Sequence, residues 1–145
     1  RLIGLPGDQI QFIEGSIYIN NKKIKRKKIN NQKNIRCGKF ILEVDTFLET
    51  LPNGYSHTAV YNKLGTMMNT KKFIVPENHF FLLGDNRDCS KDSRYLSSVG
   101  YVSNENLVGK ASIIFFSNDT ISGSIFKFWN WDKSLRADRF FKFLK

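Results

Sequence analysis

The sequence predicts a mostly β protein with frequent turns and a short helical tail at its C-terminal end. Three observations carry that expectation. Apolar residues gather in short runs rich in Ile, Val, Phe and Tyr, and Gly, Pro and Asn punctuate the gaps between them. No segment before residue 125 repeats its apolar positions at the helical period. Aromatic residues make up 14% of the 145, so a core can be built from bulky side chains and the composition speaks against disorder. This length holds one core, or one domain with an appended module.

The elements follow in order. The chain opens Arg1-Leu2-Ile3-Gly4-Leu5, an apolar run with neither a cap nor a charged leader, which reads as a piece cut into a strand. Residues 10–19 read as a hairpin turning at Glu14-Gly15. Asn20-Asn21 is a second tight turn, because Asn tolerates left-handed backbone angles, and residues 16–20 should pair with 23–27 across it. Six of the seven residues 22–28 are basic, and the Asn/Lys stretch to Asn34 is expected to be an exposed loop. Strands are expected at 39–48 and 55–61, on either side of the turn Pro52-Asn53-Gly54, with a polar loop at 65–72. Compact apolar strands are expected at 73–75, 79–83 and 111–116. In the tail, Ala137, Phe140, Phe141 and Leu144 fall on one stripe of a short basic helix.

Lys and Arg number 23 against 13 Asp and Glu, giving a net charge of +10 and an attraction to polyanions, whether nucleic acid or anionic lipid. The basic run 22–28 lacks interleaved aromatics, so a lysine-rich edge or loop that deters strand pairing is the favoured reading and no nucleic-acid partner is expected. No apolar run is long enough to span a membrane and no export leader is present; any such segment is expected upstream of Arg1. The tail aromatics Phe126, Phe128, Trp129, Trp131, Phe140, Phe141 and Phe143, mixed with Lys and Arg, suit either a membrane interface or packing on the β body. Cys37 and Cys89 are too few for a disulfide scaffold and lack zinc spacing, which leaves the redox compartment open. His57 and His79 have no partner at metal or triad spacing and receive no role.

The densest polar cluster is Gly84-Asp85-Asn86-Arg87-Asp88-Cys89-Ser90-Lys91-Asp92-Ser93-Arg94, directly after an apolar strand. Its acids and bases balance, so it can fold on itself with guanidinium groups taking the carboxylates. Composition alone favours a solvated Asp/Asn/Ser turn. A calcium loop fits poorly, because Ser93 stands where Gly is needed and Val99 where the bidentate Glu belongs.

Residues 84–94 resemble the signature box of bacterial type I signal peptidases, membrane-bound Ser/Lys enzymes that remove signal peptides from exported proteins. Arg1-Leu2-Ile3-Gly4-Leu5-Pro6-Gly7-Asp8 resembles a second box of that family, in which the general-base Lys stands immediately before the Arg. Further similarity runs through Val75-Pro76-Glu77, residues 80–83 and 106–111, and Phe115-Phe116-Ser117. Cys89 departs from the common Asn, Asn78 from the common Gly, and residues 96–100 look longer than usual.

The resemblance implies a signal-peptidase or LexA-like antiparallel β fold, with residues 1–19 and 72–124 as the catalytic-domain core, 20–71 as an inserted β region and 125–145 as a basic aromatic tail. It implies hydrolysis of a preprotein after a small residue, with no cofactor and no metal. The partners implied are signal peptides and membrane lipid, at the outer face of the cytoplasmic membrane. The nucleophilic Ser and the base Lys both belong upstream of Arg1, so this piece should be inactive alone and could self-associate through surface that upstream strands would cover. Ser90 matches the box serine whose hydroxyl orients the Lys amine.

A Lys base must be neutral, and a free carboxylate beside it would keep it charged. Arg1, Arg87 and Arg94 are therefore assigned to holding Asp85, Asp88 and Asp92, with Arg1–Asp85 and Arg94–Asp92 the favoured pairs. Gly84 lets the chain turn off the strand. Ser93 is either a supporting hydroxyl or a capping residue, and Asn86 belongs to the same scaffold. A dyad of Lys91 with Ser90 or Ser93 is rejected, since sequence neighbours on extended chain point apart. Pairing of Cys37 with Cys89 is left open, a disulfide inside the box being unexpected. The rivals are a self-cleaving repressor-type peptidase and a basic module binding nucleic acid or anionic lipid.

Overall fold

The computed structural model describes residues 1–62, 68–117 and 135–144, with only the backbone described for 30–33. The regular secondary structure of the described chain is almost entirely antiparallel strand, divided between two compact units, Arg1–Leu107 and Val108–Lys145.

In the first unit, β1 (Leu2–Gly4) lies beside β9 (His79–Leu82), and β9 also pairs with β10 (Val102–Ser103). A second sheet has the order β4-β3-β2-β8, formed by β4 (Lys22–Lys23), β3 (Ser16–Ile19), β2 (Gln9–Ile13) and β8 (Phe73–Ile74). Its hairpins turn where expected: Glu14 and Gly15 have φ of 48° and 68°, and Asn20 and Asn21 have 51° and 62°. Such left-handed pairs match the twist of the strands they join. Alternation then sorts the faces, so that Ile10 and Phe12 are buried opposite Ile19 and Ile17 while Ile13 reaches solvent. Ile3, Val75, Phe81 and Leu83 complete this core.

The third sheet departs from expectation. Pairing across Asn20-Asn21 ends at Lys23, apart from the Ile24 N–H to Ile17 carbonyl bond, and the anticipated loop is the long strand β5 (Lys25–Cys37). Its partner is β6 (Phe40–Thr50), which also pairs with β7 (Ser56–Asn62). β5 stands at the edge of that sheet, where lysine side chains can stay in water while the backbone is satisfied by β6. The turn at 51–55, with Gly54 at φ 83°, sets the register that puts Glu49 opposite His57.

The expected tail helix is also corrected. Ala137–Arg139 is one 3₁₀ turn, and Phe141 at φ 53° ends any right-handed helix there. β12 (Lys142–Phe143) then pairs with β11 (Ile113–Ile114), and Phe140 and Phe141 lie 5.3 and 5.5 Å from the Phe116 and Phe115 rings. Phe126, Phe128, Trp129 and Trp131 lie outside the described residues, as do 65–67 of the expected 65–72 loop, whose described part, 68–72, contains no strand. No helix among the described residues is long and apolar enough to cross a membrane.

Phe81 is fully buried between Phe73 and Tyr101, with centroids at 5.1 and 6.1 Å. Phe81→Ala should cost about 3–5 kcal/mol in denaturant unfolding; a loss below about 1 kcal/mol would contradict the core position.

Candidate active site

The signature loop leaves the end of β9, and its geometry starts with the ladder to β1. Leu2 stands opposite Leu82, and the Leu83 N–H donates to the Arg1 carbonyl at 2.8 Å. From there Arg1 Nε reaches both Asp85 oxygens at 3.1 and 3.2 Å, and the Arg1 guanidinium also approaches the Tyr55 hydroxyl. This is the first of the expected pairs, on partly exposed side chains.

Arg94 and Asp92 form the second, and both are buried. Arg94 Nε donates to one Asp92 oxygen at 2.7 Å and Nη2 to the other at 2.8 Å, a two-pronged bond matched to the guanidinium fork. Nη2 also donates to the Arg87 carbonyl, and the Gly84 N–H donates to Asp92 at 2.9 Å. Ser93 is fully buried, its hydroxyl accepting from the Leu82 N–H at 2.9 Å while its own N–H donates to the Leu82 carbonyl. It thus satisfies both backbone groups of Leu82, the last residue of β9.

Ser90 is held by its backbone. Its N–H and that of Cys89 both donate to the Asn86 carbonyl, at 2.9 and 3.2 Å. Its side chain lies directly over Gly84: a Cβ there would come within 1.9 Å of Ser90 Oγ. Gly84 is therefore required for close approach, beyond the turn expected of it.

Arg87 corrects the charge assignment. Instead of an aspartate of its own loop, its buried guanidinium donates to Glu49 Oε2 at 2.6 Å, to the Tyr61 hydroxyl at 3.0 Å and to the Gly84 carbonyl at 3.1 Å. His57 Nε2 lies 3.1 Å from Arg87 Nη2 and 3.4 Å from Glu49 Oε2. Tyr61 also donates to Glu49. His57, given no role from the sequence, is thus buried in an ionic cluster, and Glu49 and Tyr61 were missed with it. The turn at Pro52-Asn53-Gly54 was the signal that could have found them, because counting back from it sets Glu49 against His57.

Burial alone would raise the Glu49 carboxyl, but the bond from His57, the Arg87 guanidinium and the Tyr61 hydroxyl together hold it below its ordinary value. Burial raises the Tyr61 hydroxyl well above the usual phenol range against the opposing charge of Arg87.

The loop is tied to β7 as well. Val60 and Asn86 form a parallel bridge, Asp85 accepts from the Val60 N–H at 2.9 Å, and the Arg87 N–H donates to the Val60 carbonyl at 3.0 Å. The Asp88 carboxylate accepts from the Asn62 N–H at 2.6 Å. Asn86 Oδ1 is buried without a protein hydrogen bond among the described residues. Cys37 and Cys89, whose pairing was unexpected, form a disulfide with Cα atoms 5.6 Å apart. The expectation failed because β5, read as a loop, in fact carries Cys37 to the signature loop. Among the described residues no group of three or more His, Cys, Asp or Glu could hold a metal ion.

The match to a family model, described as signal peptidase, peptidase S26, spans residues 1–116 and so includes both Arg1 and the whole loop. The chain belongs to the peptidase S26 family. Proteins named Signal peptidase I from Rickettsia typhi and Rickettsia prowazekii are each 42% identical over 98% of this chain. One from Rickettsia bellii is 40% identical over the same share. The chain spans 57% of the length of the first two and 52% of the third.

Because folded Glu49 ionises below the ordinary carboxylate range, its cluster stabilises the fold fully above that range and loses the contribution as pH falls through the lower folded value. Denaturation midpoints should therefore drop as pH falls through and below the ordinary carboxylate range. Glu49→Gln should cost about 3–5 kcal/mol near neutrality by leaving Arg87 buried without its carboxylate, and should flatten that drop. An unchanged slope in the variant would contradict the assignment.

Proposed function

We propose that the complete protein is a Ser/Lys endopeptidase that removes N-terminal signal peptides from exported preproteins, and that residues 84–94 with Arg1 form the scaffold of its active site. The observation that supports this is the register at the end of β1. Leu2 stands opposite Leu82 and Arg1 bonds to Leu83, so one more step of the ladder brings the position before Arg1 opposite Gly84, over which Ser90 lies. That position is where the family carries its general-base Lys.

The chemistry then assigns each group a task. The neutral Lys amine takes the proton of the nucleophilic Ser as its oxygen attacks the carbonyl after a small residue, and the resulting ammonium passes that proton to the leaving nitrogen as the peptide C–N bond breaks, giving an acyl-enzyme, the mature protein's free amine and a neutral Lys again. Water then hydrolyses the ester. Ser90 hydrogen-bonds the amine and aims its lone pair at the nucleophile. Arg1 and Arg94 keep Asp85 and Asp92 from stabilising the protonated amine, which would otherwise stay charged. Gly84 leaves room for Ser90, Ser93 secures the end of β9 at Leu82, and Asn86, Arg87 and Asp88 join the loop to the inserted sheet. The nucleophile and base are not among these 145 residues, so the chain alone should have no peptidase activity.

The domain reading is a catalytic core of 1–19 and 72–124, an inserted β region of 20–71 and a lipid-facing tail of 125–145. Exposed Phe141 and Phe143 support the tail's role. The site would face the outer side of the cytoplasmic membrane, and the Cys37–Cys89 disulfide supports that side, because such bonds persist in oxidising compartments.

Ser90→Ala in the complete protein should lower kcat for preprotein cleavage by about a hundredfold or more with little change in KM. Wild-type turnover in that variant would overturn the role given to Ser90.

A further inference from the structure

The disulfide has no part in the chemistry above, yet it ends one residue from Ser90. Cys37 closes β5 just before the Gly38 turn, and Cys89 precedes Ser90, so the bridge joins a hairpin tip to the signature loop across 52 residues. Both cysteines are half-buried, within reach of small thiols.

The surroundings define what the bridge can do. On its C-terminal side Ser90 is followed by Asp92, buried and held by Arg94. On its N-terminal side residues 86–88 are tied to Val60 and Asn62. Between these anchors, Cys89 and Ser90 share a single carbonyl, that of Asn86. Ser90 Oγ makes no protein hydrogen bond among the described residues, so the hydroxyl goes where the backbone of 89–90 carries it.

The hairpin tip has its own need of an anchor. The last described pair of β6 with β7 is Val44 with Asn62, and from Phe40 to Glu43 β6 pairs with β5 alone among the described residues. An isolated two-stranded ribbon is marginal in water. Its tip exposes Phe40 and Ile41, so apolar packing does not hold it down.

We infer that the Cys37–Cys89 bridge is a positioning element for Ser90: it uses the inserted hairpin as a brace that fixes the backbone delivering the hydroxyl. The inference rests on the role proposed for Ser90. It also makes the reaction sensitive to thiols. A dithiol such as dithiothreitol would pass two electrons and two protons to the bridge, giving the thiols of Cys37 and Cys89 while closing to its own disulfide.

The test compares three states of the complete protein in detergent: oxidised wild type, wild type reduced with dithiothreitol, and Cys37→Ser with Cys89→Ser. Reduction and double substitution should each lower kcat by about ten- to a hundredfold with KM nearly unchanged, and dithiothreitol should do nothing further to the variant. Amide exchange at 86–90 should quicken in both states, while that at 10–19 stays slow and certifies the fold. If the variant does not fold, reduction of folded wild type makes the same comparison. Equal kcat in the oxidised and reduced states would overturn the inference alone, as would a change confined to KM. Absence of cleavage by oxidised wild type would overturn the proposed function and the inference with it.

Discussion

A guanidinium group buried in a small β protein must find anions and acceptors for its donors, and Arg87 finds them in three places at once. Glu49 and Tyr61 come from adjacent strands β6 and β7, and the Gly84 carbonyl comes from the start of the signature loop. The desolvation cost of such a charge is repaid only when its partners are held in place. The cluster therefore obliges the β5-β6-β7 sheet and the loop to keep one arrangement, with His57 filling the space beside the pair. The backbone bonds from Val60 to Asp85 and Arg87 run alongside it.

The same arrangement disposes of charge around the proposed base. Asp85 is held by Arg1, Asp92 by Arg94 and the Gly84 N–H, and Asp88 accepts from the Asn62 N–H. A loop so rich in acids would raise the pKa of a nearby amine if those acids were left to it. Their engagement elsewhere leaves a place beside Ser90 where an amine could be neutral. The chain's surplus of positive charge lies elsewhere, notably in β4 and β5, on sheet edges where lysines are solvated.

Local chemistry accounts for what could be read from the sequence. Glu14-Gly15, Asn20-Asn21 and Pro52-Asn53-Gly54 all turn where their conformational preferences indicate, and the compact apolar runs at 73–74 and 79–82 are strands. The Arg1–Asp85 and Arg94–Asp92 pairs were accessible because a neutral Lys requires its neighbouring carboxylates to be occupied. Long-range pairing hid the rest. The Asn/Lys stretch has little intrinsic strand preference and becomes β5 because β6 offers it a ladder. Arg87 was assigned to neighbours in sequence, whereas its partner stands 38 residues away. The tail's stripe of Ala137, Phe140, Phe141 and Leu144 matches a helix, but strand pairing to β11 prevails.

The most direct test of the account is the pH dependence of kcat/KM for the complete protein and for Arg1→Gln, which frees the Asp85 carboxylate beside the proposed Lys. The wild-type acid limb should lie well below the ordinary lysine value of about 10.4, and the variant should shift that limb upward, because an unpaired carboxylate favours the protonated amine. An acid limb near the ordinary lysine value, or one that Arg1→Gln leaves in place, would contradict it.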